Sequence, residues 1–409
     1  MMDVKKMSQV TIADGDTPQL GLDAKRVNGL AATGAGLFLL AGALWLGQGH
    51  GPRQGVLFLL GGGLGVALLH AAFGFTAAFR DFLTAGRGEG LRAQMLMLAV
   101  ATALFFPALA AGSVFGQPVN GILFPVGTAV VAGAFLFGIG MQVAGACATG
   151  TLFAAGTGSA RMLVVVLFFV VGSVLGAAHL PAWQGLPRME TVSLIGSLGW
   201  IGALALSLGV FAAVYAGSLW LERRRHGIVS ARPVTAQPVL RTLVRGPWPL
   251  WWGAVALAVL NFATLLVSGR PWGITDAFTL WGSQALLPVH PDLVFWDYWA
   301  DARAAAALEA SPFKDQSTVM NIGLVAGAML AAGLSGKFSP TLRVGPAALL
   351  AAMVGGLLLG YGARIGTGCN ISAYFGGIAS GSLHGWVWIP AALAGNWVGL
   401  KARALFART

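Results

Sequence analysis

Gly138-Ile139-Gly140-Met141-Gln142-Val143-Ala144-Gly145-Ala146-Cys147-Ala148-Thr149-Gly150-Thr151-Leu152-Phe153 decides the fold, because the chain carries the pattern twice. The second copy is Gly360-Tyr361-Gly362-Ala363-Arg364-Ile365-Gly366-Thr367-Gly368-Cys369-Asn370-Ile371-Ser372-Ala373-Tyr374-Phe375. Both leading glycines, the cysteine and the phenylalanine fall at matching offsets. The chain has 2 cysteines, and these are they. Each lies at the polar, glycine-rich end of an apolar run long enough to cross a bilayer.

Working outward, composition agrees with a membrane setting. Of 409 residues, 56% are hydrophobic and 10% charged, with mean hydropathy +0.76. Soluble domains carry about 25% charged residues, and a soluble core of this size would lack the polar surface to cover itself. Apolar runs predict about ten spans: near 28–47, 54–72, 93–114, 121–143, 162–178 and 198–221, then 249–268, 318–335, 344–363 and 384–400. The 60 glycines suit close helix packing in lipid. The first 25 residues are polar and mixed in charge, without the apolar region of a cleavable secretory signal. The expected organisation is a polar tail (1–27), a first transmembrane half (28–221), a basic linker (222–247), a second half (248–400) and a short tail (401–409).

Net charge is +11. With strict alternation from a cytoplasmic N-terminus, all basic residues except Arg53, Arg188, Arg270, Arg303, Lys314 and Arg364 fall inside. The loop 286–316 then lies outside, and it holds Asp292, Asp297, Asp301, Glu309 and Asp315. That asymmetry puts both termini in the cytoplasm and accounts for the positive charge without nucleic acid.

A second internal match strengthens the repeat. Gly74-Phe75-Thr76-Ala77-Ala78-Phe79 resembles Gly273-Ile274-Thr275-Asp276-Ala277-Phe278. Each follows a span and precedes its own cysteine stretch by two spans. By the charge count one faces the cytoplasm and the other the outside. The fold class is therefore an all-α integral membrane protein with short re-entrant half helices, in two inverted pseudo-symmetric repeats. Glycine-interrupted segments at corresponding positions of such repeats point to a transport site between the halves.

The cysteines read in two ways. A lone cysteine in an apolar helix is a small buried side chain. Here Gly145, Thr149 and Gly150 flank Cys147, while Gly366, Gly368 and Asn370 flank Cys369, which leaves backbone open beside each thiol. Such backbone is tolerated at membrane depth only inside protein or along a cavity. Helices starting at the cysteines would favour an anion, and each thiol offers a weak S–H donor. A disulfide between them requires Cα atoms within about 7 Å. Thr76 and Thr275 are either polar contacts or small packing residues. Arg80 and Arg364 either draw anions to a pathway mouth or reach to the interface.

Absences narrow the chemistry. No span carries a central Asp or Glu for a proton relay. No phosphate-binding glycine loop followed by Lys and Ser or Thr is present. The six histidines show no zinc spacing, and Met and Trp form no haem or copper pattern. No cofactor and no metal are expected.

At three places the chain resembles the YeeE/YedE sulfur-transport family, whose characterised members take up thiosulfate. They are Ala78-Phe79-Arg80-Asp81, Gly269-Arg270-Pro271-Trp272-Gly273-Ile274-Thr275, and the two cysteine stretches. The resemblance implies a bacterial inner-membrane permease that takes up thiosulfate or a related small sulfur anion. It implies cysteines that hand the ion along a narrow path, and a soluble cytoplasmic sulfur-carrier partner. Transport members often carry a third cysteine before the AFRD-like segment; here the place is Gly74. The rival readings are a membrane sulfurtransferase or redox protein, an accessory subunit, and transport of a selenium compound or other inorganic sulfur species. A reactive thiolate needs a basic neighbour, and only Arg364 precedes a cysteine closely.

Overall fold

The computed structural model describes residues 27–229 and 238–406. Most of the expected polar tail, the middle of the linker and the last three residues lie outside these. Within them the protein is an all-α integral membrane protein. Its first part runs α1 (Gly29–His50), α2 (Pro52–Ala71), the short α3 (Phe75–Ala85) and α4 (Glu89–Ala111). A small hairpin follows, β1 (Ser113–Val114) with β2 (Gln117–Pro118). Then come α5 (Thr128–Ala144), the short α6 (Ala148–Gly156), α7 (Ala160–Ala178), α8 (Leu180–Gln184) and α9 (Leu194–His226). Inside the linker lies α10 (Val239–Arg245), followed by α11 (Leu250–Ser268), the short α12 (Thr275–Leu286) and α13 (Ala302–Glu309). The chain closes with α14 (Gln316–Leu334), α15 (Pro346–Ile365), a π turn (Asn370–Gly376) running into α16 (Gly377–Ala379), and α17 (Leu383–Phe406).

Nine helical stretches among the described residues are long and apolar enough to cross a membrane. They coincide with nine of the spans expected from the sequence. The tenth is α17, 24 residues long, whose apolar character is interrupted by His384, Pro390 and Asn396. The spans are apolar on all sides rather than along one stripe, as helices between lipid and a protein core must be. Glycine ends many of them: Gly86, Gly112 and Gly145 take left-handed conformations as C-caps.

Contacts between loops sort the helix ends onto two sides. On one side Asn28 N–H donates to the Gly333 carbonyl at 2.9 Å, Trp248 N–H to His70 at 2.8 Å, and Ser339 N–H to Thr157 at 3.1 Å. On the other, Asn120 N–H donates to Gly269 at 2.8 Å, Met189 N–H to Val126 at 2.7 Å, and Leu194 N–H to Gly381 at 2.7 Å. Successive long helices end on alternate sides.

Helix partners come in matched pairs. α5 packs on α17 while α7 packs on α15; α2 packs on α14 while α4 packs on α11; and α5 crosses α15 as α2 crosses α11. Aligning the two cysteine stretches equates α2 with α11, α4 with α14, α5 with α15 and α7 with α17. Each contact then maps onto its counterpart or onto itself. The leading glycines obey the same rule. A Cβ on Gly138 would collide with the Ala392 carbonyl of α17, and one on Gly360 with the Phe169 carbonyl of α7. These positions admit only hydrogen because the neighbouring backbones touch there.

One charged pair is sealed into this frame. Glu222, fully buried near the end of α9, meets Arg92 of α4 at 2.7 Å and accepts from Gly88 N–H at 3.1 Å. Removing one partner of such a pair costs about 3–5 kcal/mol, since the other charge is stranded.

The glycine contact makes a prediction. Gly360→Ala should lower the melting temperature of the detergent-purified protein, with a loss of about 1–3 kcal/mol. Gly209→Ala, in α9 with no atom within 4 Å of the added carbon, should hold or raise it.

Candidate functional site

The two cysteines occupy the same structural position in their respective segments. α5 ends at Gly145, and after one more residue Cys147 becomes the N-cap of α6. Its sulfur accepts from Gly150 N–H at 3.4 Å, and its thiol donates to the Thr149 hydroxyl at 3.6 Å. After α15 the chain turns through Gly366, Thr367 and Gly368, and Cys369 caps the π turn. Its sulfur accepts from Ile371 N–H at 3.4 Å and lies 3.7 Å from the Ser372 hydroxyl. Ser372 in turn accepts from Cys369 N–H at 3.1 Å, completing a capping box. A thiol therefore does at each break what a serine or aspartate does at an ordinary helix start. Both cysteines are free thiols, 2% and 0% exposed, within one continuous core.

The residue five positions before each cysteine ties the break to the short helix ahead of it. In the first half this is Gln142, fully buried, whose Nε2 donates to the Thr76 carbonyl of α3 at 3.2 Å. The same nitrogen donates to Asn396 Oδ1 of α17 at 2.6 Å. In the second half it is Arg364, which pairs with Asp276 of α12 at 2.9 Å. Arg364 also donates to the Tyr298 hydroxyl and stacks 4.7 Å from that ring. Withdrawal from water pushes the Tyr298 phenol up to about 12, against the pull of the Arg364 guanidinium. It stays protonated at any physiological pH.

The remaining expected site residues divide into three groups. Thr149 and Asn370, next to the cysteines, and Thr76 and Thr275, on α3 and α12, are buried. The glycines are committed to the backbone: the N–H groups of Gly145, Gly150, Gly366 and Gly368 donate to Met141, the Cys147 sulfur, Gly362 and Ala363. Gly145 and Gly368 take positive φ, and a Cβ at Gly366 would press against α5. Of the two arginines, Arg364 is buried in its ion pair, whereas Arg80 is partly exposed and lies 3.7 Å from Asp81.

A cavity of about 250 Å³ opens where α3 begins, lined by Phe73, Gly74, Asp81, Gln94 and Glu222 among others. Gly74 has an extended backbone, φ −113°, and the nearest atom to an added Cβ is Ala77 Cβ at 3.8 Å. No group of three or more metal-ligating side chains occurs among the described residues.

Sequence reasoning missed Gln142, Ser372 and Tyr374. For Gln142 a signal existed: it and Arg364 are the polar residues at one shared offset before the cysteines. Arg161 was counted only as a charge; it donates to the Ala144 carbonyl at 3.1 Å, at the end of α5.

Comparison with known proteins gives a consistent picture. Over 147 residues the chain is 30% identical to the probable transporter YedE of Escherichia coli, a stretch covering 36% of either protein. The match thus spans little more than a third of that relative's length. The thiosulfate transporter TsuA of Spirochaeta thermophila is 24% identical over 359 residues, 83% of this chain and 96% of that one. TsuA of Escherichia coli is 24% identical over 349 residues, 82% and 90% of the two chains. Residues 70–398 match the sulphur transport family as a whole. That segment takes in α3, α12, both cysteine breaks and the helices around them, and the chain belongs to the sulphur transport family.

Proposed function

We propose that this protein takes up thiosulfate, or a related small sulfur-containing anion, along a narrow path between two inverted halves. The observation that carries the reading is the matched placement of two free thiols, each capping a break beside the α5–α15 crossing. The names of the TsuA relatives, which align along most of their length, support thiosulfate as the ion. The paired helix contacts support the inverted repeat. The distribution of basic residues supports an inner-membrane orientation with both termini cytoplasmic. A soluble sulfur carrier on the cytoplasmic side, receiving the ion, completes the proposal.

In this reading Cys147 and Cys369 meet the ion through S–H contacts to its sulfur. Thr149, Thr76, Thr275 and Asn370 provide polar contacts alongside. Arg80 acts at the cytoplasmic mouth. Arg364 holds α12 against α15 with its charge balanced by Asp276, and lends little net potential. The glycines give the breaks their backbone shape. The sulfurs bond hydroxyls and backbone N–H groups, which favours transport over a sulfurtransferase that needs an activated thiolate.

Two measurements test the roles. Thiosulfate-dependent growth of cells lacking other sulfur importers should be restored by the wild-type protein. Cys147→Ala and Cys369→Ala should each lose most of that rescue while inserting normally; full rescue by either variant would remove the thiols from the pathway. Gly74→Cys adds a thiol where transport relatives carry one. Given the space at Gly74, it should fold like wild type and increase the initial rate of thiosulfate uptake in liposomes. A lower rate in an intact protein would show that Gly74 is not an interrupted station of the same relay.

A further inference from the structure

We infer that Tyr374, Asn370 and Thr76 form an oxygen-binding subsite distinct from the thiols, which takes the oxygens of a sulfur oxyanion while the cysteines face its sulfur. This deepens the transport reading and rests on it. The observation is that each of these buried side chains carries uncommitted polar atoms. Asn370 is 1% exposed, and neither its Nδ2 nor its Oδ1 has a hydrogen-bond partner among the described residues. The Tyr374 hydroxyl, on a residue 1% exposed, has none, and nor does Thr76 Oγ1, on a residue 5% exposed. Buried polar atoms are almost always paired, because an unmade bond forfeits the hydration it replaced. Two such side chains on one short turn directly after Cys369 mark groups whose partner is the ligand.

Asn370 and Tyr374 share one turn, and the segment that carries Thr76 packs against it through Phe75. Asn370 directly follows Cys369. Tyr374 is four residues further along the same π turn, and that spacing puts the amide and the phenol on one face. A π turn is uncommon and concentrates at functional sites. The Tyr374 ring meets the Phe75 ring edge-on at 6.3 Å, and Phe75 precedes Thr76. One half thus contributes Thr76 and the other Asn370 and Tyr374. The backbone of Thr76 is fixed by Gln142 at its carbonyl, so its hydroxyl is held on a braced segment.

The chemistry selects the ligand class. Two hydroxyls and the Asn370 Nδ2 are donors, and Arg364, six residues before Asn370, is tied to Asp276. Such a set satisfies the oxygens of thiosulfate or sulfite. Asn370 Oδ1, an acceptor, repels an anion, so the amide meets it through nitrogen.

Tyr374→Phe and Thr76→Val each delete only an unpartnered buried hydroxyl, so the folded protein should melt at the wild-type temperature or higher. Full-length protein in liposomes should nevertheless show a half-saturation concentration for thiosulfate raised about tenfold in each variant, as expected for a lost bond to a charged ligand. That divergence supports the subsite. Unchanged half-saturation in both variants overturns it while leaving wild-type transport standing. Weaker uptake matched by a lower melting temperature overturns it too, because the hydroxyls are then structural. Wild-type liposomes that carry no thiosulfate overturn the transport reading and the subsite with it.

Discussion

A helix that starts inside an apolar layer leaves its first N–H groups without partners, and no water is there to take them. The structure depends on how that deficit is met. At both breaks a cysteine sulfur accepts from the backbone of the helix it caps, Gly150 in one case and Ile371 in the other. Sulfur is a weak acceptor, and at the second break the Ser372 hydroxyl adds a bond from Cys369 N–H, while at the first the Thr149 hydroxyl accepts from the thiol. The same thiol is thus a structural cap and the proposed contact to the ion. An ion arriving there competes for an interaction that is weak to begin with, which lowers the energy needed to exchange one partner for the other.

The breaks keep their positions because the helices around them cannot slide. α5 and α15 touch backbone to backbone, and the leading glycine of each stretch fixes the neighbour, α17 for Gly138 and α7 for Gly360. Close approach of this kind replaces the hydrophobic drive that lipid removes between membrane helices. It also explains why the repeated stretch is rich in glycine outside its turns. A glycine inside a helix weakens the helix by about 1 kcal/mol, and packing must return more than that.

Much of the fold was legible because the bilayer imposes a length. All ten apolar runs coincide with helices, and the order of long and short segments in the two halves is the one expected from the cysteine and GxTxAF matches. The sequence also located the breaks, since glycine and threonine replace leucine and valine there. What it did not reveal was which groups are joined across the chain. Glu222 and Arg92 lie far apart in sequence and nothing local to either suggests a buried pair. Arg364 looked like a mouth charge because its partner Asp276 belongs to another motif. The π turn after Cys369 was also hidden, because its extra width is set by the packing around it and not by residue preference. Tyr374 therefore carried no signal of its own.

The two halves share a plan but differ where it matters electrically. Five residues before Cys147 stands a neutral amide, Gln142, bonded to a carbonyl of α3; five before Cys369 stands a guanidinium, Arg364, bonded to a carboxylate of α12. The first break continues as an α-helix, the second as a π turn. An anion at the first thiol would meet amide and hydroxyl dipoles, with the Arg161 guanidinium on the Ala144 carbonyl at the end of α5. At the second it would lie near a compensated ion pair, and next to Asn370 and Tyr374, whose polar atoms are unclaimed. Two stations alike in every detail would bind the ion equally and give it no reason to prefer either side. The departures from symmetry concentrate on the residues flanking the thiols, so the halves differ at the positions where unequal affinity would arise.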